Sequence, residues 1–132
     1  MTPRFPSAIP EIPVSNIDTA LAYYKNCLGF TIDWGSQQLG LAGISKDNCR
    51  LFLANREFRS EFGNQAPILL WLNLESIEDV DNLYQAWASH NALLMSSPES
   101  KPWGLHEFTV EDIDGNLFRV FYDFATPTRN ES

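Results

Sequence analysis

The sequence predicts an α+β protein made of two βαβββ halves whose mixed sheets curl into cups. Size, an internal repeat and the order of elements predict it. The chain has 132 residues, 44% of them hydrophobic and 13% aromatic, which suits one domain burying roughly two thirds of its unfolded surface. Asn16-Ile17-Asp18-Thr19-Ala20 is echoed 63 residues later by Asp79-Val80-Asp81-Asn82-Leu83, and the same offset pairs Tyr24 with Trp87 and Phe30 with Leu93. Around both segments the elements run strand, helix, strand, strand, strand. A half of about 60 residues buries too little surface to stand alone, so the halves, 6–60 and 67–124, are expected to form one domain over 1–132, with 125–132 as a loose tail.

The elements follow in order. Ala8 to Val14 is extended, and its prolines suit an edge strand or a strand entry. Asn16 or Asp18 caps a helix, on which Ile17, Leu21, Tyr24 and Leu28 make one apolar face. Gly29 ends it in the left-handed conformation. Phe30 to Trp34 alternates as a strand. Gly35, Gly40 and Gly43 punctuate the next stretch, and Lys46-Asp47-Asn48 turns into a strand over Arg50 to Ala54. Residues 55–66 are polar and read as the connection between halves. Pro67 to Leu74 is a strongly apolar strand, expected to be buried on both faces. Asp79 to His90 is a helix with Val80, Leu83 and Trp87 on one face, and Ala92 to Met95 a short strand. Glu107 to Asp112 alternates, Asp114-Gly115 is a tight turn, and Leu117 to Phe124 is the last strand.

Charge and targeting signals narrow the function. Nine Lys and Arg stand against 17 Asp and Glu, a formal charge of −8. That sign opposes nucleic-acid phosphates and suits cations. No apolar run reaches bilayer length, and the N-terminal stretch has no signal-like core. The expectation is a cytoplasmic protein with no membrane or nucleic-acid partner. Cys27 and Cys49 are too few for a disulfide framework and are expected to be reduced.

The opening Ile12-Pro13-Val14, Asp18 to Tyr24 and Leu28-Gly29-Phe30 resembles that of the vicinal-oxygen-chelate, or glyoxalase, superfamily. Pro102-Trp103-Gly104-Leu105-His106-Glu107-Phe108-Thr109-Val110, then Asp112-Ile113-Asp114-Gly115-Asn116, resembles the closing signature of its bleomycin-resistance branch. The likeness covers about residues 6–124. It implies paired βαβββ modules, a homodimer, and ligand crevices formed by the cupped sheets. Exposed strand edges and apolar faces give the dimer a physical basis as well.

The resemblance also implies where a metal would lie in the superfamily's enzymes, on inward-facing strand residues, usually His and Glu. The matching positions fall near Ile9, Phe52, Leu72 and Arg119. Neither these nor their neighbours Ala8, Pro10, Leu51, Leu53, Trp71, Asn73, Phe118 and Val120 are His, Asp or Glu, so no metal and no cofactor is expected. His106 and Glu107 are adjacent on a strand and point to opposite faces. No nucleophile elbow, phosphate loop or Cys-x-x-Cys occurs.

What remains is an aromatic site with acidic neighbours. Trp34 and Trp103, each beside a glycine (Gly35, Gly104), are the expected walls, in segments that line the crevice in bleomycin-resistance proteins. Asp33 and Glu107 would supply charge, and His106 and Phe108 complete the candidate set, though only one of Glu107 and Phe108 can face the cup. Trp71 and Trp87 are expected in the core. The function expected is metal-independent, stoichiometric sequestration of a cationic, partly aromatic antibiotic. The alternatives are a metal-dependent lyase, isomerase, dioxygenase or thiol transferase, which metal analysis would reveal, and a non-catalytic small-molecule sensor.

Overall fold

The computed structural model describes residues 2–62 and 65–126, with the backbone alone at Phe62. Two modules appear, each a helix on one face of a mixed sheet. In the first, β1 (Glu11–Pro13) leads to α1 (Ile17–Asn26), then β2 (Thr31–Ser36), β3 (Leu41–Lys46) and β4 (Cys49–Ala54). The strands lie in the order β1-β4-β3-β2, with β1 parallel to β4. In the second, β5 (Leu69–Asn73) leads to α2 (Ile77–Ser89), β6 (Leu93–Leu94), β7 (Glu99–Ser100), β8 (Leu105–Glu111) and β9 (Leu117–Asp123). Here β5 runs parallel to β9, β9 pairs with β8, and β6 and β7 pair with β8 one after the other as an interrupted edge. The expected loose tail falls largely on residues 127–132, which lie outside the described residues.

Local chemistry sets the helix ends. The Asn16 side chain accepts from the Thr19 amide at 2.8 Å, closing the start of α1. Gly29, with φ +77°, turns the chain out of it. Ile17, Leu21, Tyr24 and Leu28 are all buried. Ser76, not Asp79, caps α2 by accepting from the Asp79 amide at 2.9 Å. The caps stand 60 residues apart and the helix ends 63, because α2 has 13 residues and α1 has 10. The repeat read from the sequence is thus in register at the helix C-termini, and α2 begins a turn earlier.

Two strands were not legible. In β3, glycine and alanine blur the alternation, yet Ala42 and Ile44 face the core. The two-residue β7 is too short to show periodicity.

Both helices feed one core. Phe108, Val110, Phe118 and Val120 project from β8 and β9 towards α2, while Ile12, Ile44, Leu51 and Leu53 project towards α1. Only one face of each sheet carries a helix; the other is open. This corrects the expectation for Pro67–Leu74. With α2 on one side alone, Leu69 and Trp71 stand 41% and 46% exposed.

The Asp112–Asn116 loop clasps the halves together. Asp112, 1% exposed, accepts from the Tyr24 hydroxyl at 2.7 Å, the Asn116 amide at 2.9 Å, the Asn116 side chain at 2.8 Å and the Asp114 amide at 2.8 Å. Asn116 also donates to the Pro13 carbonyl at 2.8 Å. The Tyr23 hydroxyl donates to the Glu111 carbonyl at 2.6 Å and accepts from the Leu93 amide at 3.0 Å.

Burial pushes the Tyr23 phenol up to about 12, and burial together with the Asp112 carboxylate raises that of Tyr24 as well. A raised folded value means that the neutral form is favoured by folding. Stability is therefore whole below pH 10, where unfolded tyrosine is protonated, and falls as pH rises towards 12. For Tyr23 the loss is about 2–3 kcal/mol. Urea midpoints measured from pH 8 to 12 should fall only above pH 10, and less steeply in Tyr23→Phe. A midpoint unchanged up to pH 12 would contradict this.

Candidate functional site

Sheet register sorts the expected site residues. On the open face of the second sheet, Trp71, Arg119 and Thr109 form one row across β5, β9 and β8, and Asn73, Phe121 and Glu107 the next. Trp71 meets Phe121 edge to face at 5.4 Å, and the Arg119 guanidinium lies 5.1 Å from the centre of a Trp71 ring. Beyond β8, Trp103 donates its indole N–H to Glu107 at 3.2 Å, and the Lys101 ammonium lies 5.8 Å from a Trp103 ring. Glu107 is 5% exposed, while Trp103 is 61% exposed. An aromatic band, Trp71–Phe121–Trp103, thus crosses three strands, roughly 10 Å at ordinary strand spacing.

Gly104 makes the turn that carries Trp103. Its φ is +94°, and a Cβ there would meet that of Ala125 at 2.5 Å. Its role is to shape the backbone.

Phe108 and His106 belong to the other face. Phe108 is 1% exposed and packs edge to face on Tyr84 and Trp87 at 5.4 and 5.9 Å. Alternation turns Glu107 to the face away from α2, where it is buried under Trp103, and Phe108 to the core. His106 shares hydrogen bonds with Ser100 Oγ through Nδ1 at 2.9 Å and with Asp81 Oδ1 through Nε2 at 2.8 Å. It ties β7 and α2 to β8 and takes no part in the aromatic band.

Trp34 and Asp33 stand on the first sheet. A bulge between Ile32 and Trp34 sets Trp34 opposite Gly43 rather than on the core side with Ile32. The indole lies over Gly43, where a Cβ would come within 2.6 Å of it, and meets Phe52 at 5.2 Å. Asp33 accepts from Ser45 Oγ at 3.1 Å. Trp34 and Trp103, expected as two walls of one crevice, lie on the first sheet and in the turn before β8 of the second; among the described residues they share no ring or hydrogen-bond partner.

The metal-ligand positions also shift. Ile9 and Pro10 precede β1, Leu72 pairs with core-facing Val120, and Glu11 is the residue beside Phe52. Glu11 is engaged by Arg59 Nη1 at 2.8 Å. Among the described residues, no group of three or more His, Cys, Asp or Glu is placed to hold a metal ion.

Between the modules runs an open groove of about 970 Å³, bounded by the β3–β4 turn, α2 and β5. That is room for a drug-sized ligand. Its ionisable lining is Asp47, Glu75 and Asp79 against Lys46 and the Cys49 thiol, whose pKa burial raises. A thiol raised in this way is a weak nucleophile at neutral pH. Trp71 lines the groove as well as belonging to the band. The sequence reading missed Trp71, Phe121 and Arg119. The apolar run around Trp71 looked like a buried strand, and no short-range pattern marks an arginine as facing an open sheet.

The profile of the family described as the Glyoxalase/Bleomycin resistance protein/Dioxygenase superfamily matches residues 8–120. No curated protein matches the chain. Its structure is similar to that of a glyoxalase/bleomycin resistance protein/dioxygenase from Nocardioides, at 17% identity and TM-score 0.75 over 99% of this chain and 92% of that one. It is similar to TioX from Micromonospora sp. ML1, at 17% identity and TM-score 0.73 over 89% and 99%. It is also similar to the bleomycin-binding protein of bleomycin-producing Streptomyces verticillus in complex with copper(II)-bleomycin, at 21% identity and TM-score 0.69 over 90% and 97%. At such identities these likenesses concern the fold. No described helix is long and apolar enough to cross a membrane.

Proposed function

The chain belongs to the glyoxalase/bleomycin resistance protein/dioxygenase superfamily, and from that membership we propose that it is a metal-independent protein that binds and sequesters a small, cationic, partly aromatic molecule of the bleomycin type. The observation that carries the reading is the aromatic band joined at Trp71 to a groove whose carboxylates outnumber its single lysine. A planar ring stacked on Trp71 or Trp103 gains about 0.5–1.5 kcal/mol beyond the area it buries. A cationic group placed by Asp47, Glu75 and Asp79, or by Glu107, gains by charge. The likeness to a bleomycin-binding protein agrees with this class of ligand.

Titrating metal-free bleomycin into metal-stripped protein, followed by tryptophan fluorescence, tests it. Saturable quenching at micromolar or tighter affinity is expected, weakened about tenfold in Trp103→Ala. A flat titration would remove bleomycin itself. One divalent ion per chain in the purified protein would instead favour a lyase or dioxygenase, and saturable binding without retention of the ligand a sensor.

A homodimer forms part of the proposal. The open face of the first sheet exposes Trp34, and a second copy related by a two-fold axis would cover such surface. Light scattering should give twice the 15.0 kDa chain mass. A 15 kDa species alone would refute it.

A further inference from the structure

We infer that the ligand bound on the aromatic band also carries an anionic group, a carboxylate or an equivalent planar oxyanion, which pairs with Arg119. This rests on the binding function proposed above and adds a charge requirement that an acidic chain does not suggest.

Arg119 lies in mid-row on the open face, between Trp71 of β5 and Thr109 of β8. Its Nε is buried and has no hydrogen-bond partner, and none of its side-chain nitrogens is hydrogen-bonded to, or ion-paired with, a described residue. The buried Nε is closed to a ligand, but the terminal nitrogens are neither buried nor hydrogen-bonded among the described residues, and a guanidinium offers such donors two at a time to a carboxylate. The nearest acids by register, Glu107 and Glu111, are both diagonal neighbours across the β8–β9 pair, roughly 7–8 Å away at the backbone, and neither is ion-paired with Arg119. The Glu107 carboxylate is taken by the Trp103 indole N–H. The guanidinium lies 5.1 Å from the centre of a Trp71 ring, beside the surface on which a ligand ring would stack. An aromatic acid fills both requirements: its ring lies on the band and its carboxylate meets Arg119. The acidic groove then selects a positive group elsewhere on the same molecule, so the class favoured is a zwitterionic aromatic.

A matched set of indole probes tests this by calorimetry and by NMR titration of the wild-type chain: indole, tryptamine, indole-3-acetate and tryptophan. Indole-3-acetate should bind at least tenfold more tightly than indole and tryptamine, and tryptophan at least as tightly as indole-3-acetate. In Arg119→Gln, shown to be folded by its thermal melt, the ratio of indole-3-acetate affinity to indole affinity should fall to about one, whatever the change in indole binding itself; Arg119→Lys should restore part of that ratio. Binding of all four probes with equal affinity would overturn the charge requirement and leave the aromatic binding site standing. Failure of all four to bind would overturn the aromatic site and this inference with it.

Discussion

Replacing Asp112 with alanine should cost about 3–5 kcal/mol of folding stability, a large share of the total for a domain of this size. The side chain is 1% exposed and receives four hydrogen bonds, from Tyr24, Asp114 and both nitrogens of Asn116. Alanine would leave those donors buried and unpaired, and the desolvation of each would no longer be offset. The loss should also loosen one half from the other, since Tyr24 comes from α1 and Asn116 reaches the Pro13 carbonyl. Tyr24→Phe removes a single bond and should cost about 1 kcal/mol. Urea denaturation of the two variants checks the ranking. A loss below about 1 kcal/mol in Asp112→Ala would mean that this carboxylate does not fasten the halves, and that packing and the Tyr23 and Asn116–Pro13 hydrogen bonds suffice.

Phe108→Ala should be about as damaging, at about 3–5 kcal/mol, through the cavity it opens between Tyr84 and Trp87. The value of this prediction is that it separates core from site. Phe108→Leu keeps most of the volume and should cost under about 2 kcal/mol, leaving ligand affinity unchanged. Trp103→Ala should do the reverse, weakening the ligand with little change in stability, because that indole is 61% exposed. Equal losses of affinity in Phe108→Leu and Trp103→Ala would place Phe108 on the ligand side after all.

The Asp112-Ile113-Asp114-Gly115-Asn116 pattern illustrates what short-range signals convey. As a motif it carries the family resemblance, and the dipeptide Asp114-Gly115 marks a turn whose glycine has φ +84°. What the loop does is visible only when Tyr24 arrives from 88 residues away. A stretch that the sequence marks as a family signature and a turn is here a fastening between the two halves.

The sequence by itself determined both helices, their apolar faces and the doubling of the unit, though not β3, β7 or the first turn of α2, because helix faces follow from periodicity within a few residues. It also determined that Glu107 and Phe108 lie on opposite faces, since a strand alternates. Tertiary structure alone decided which face was which. Trp34 faces the open side because a bulge at Asp33 breaks the alternation and Gly43 on the neighbouring strand has no Cβ in its way. Trp71 is open rather than in the core because α2 covers one side of β5 and no described helix covers the other. Arg119 joins these aromatics through pairings between strands distant in sequence, and pairings of that range leave no local mark on the chain.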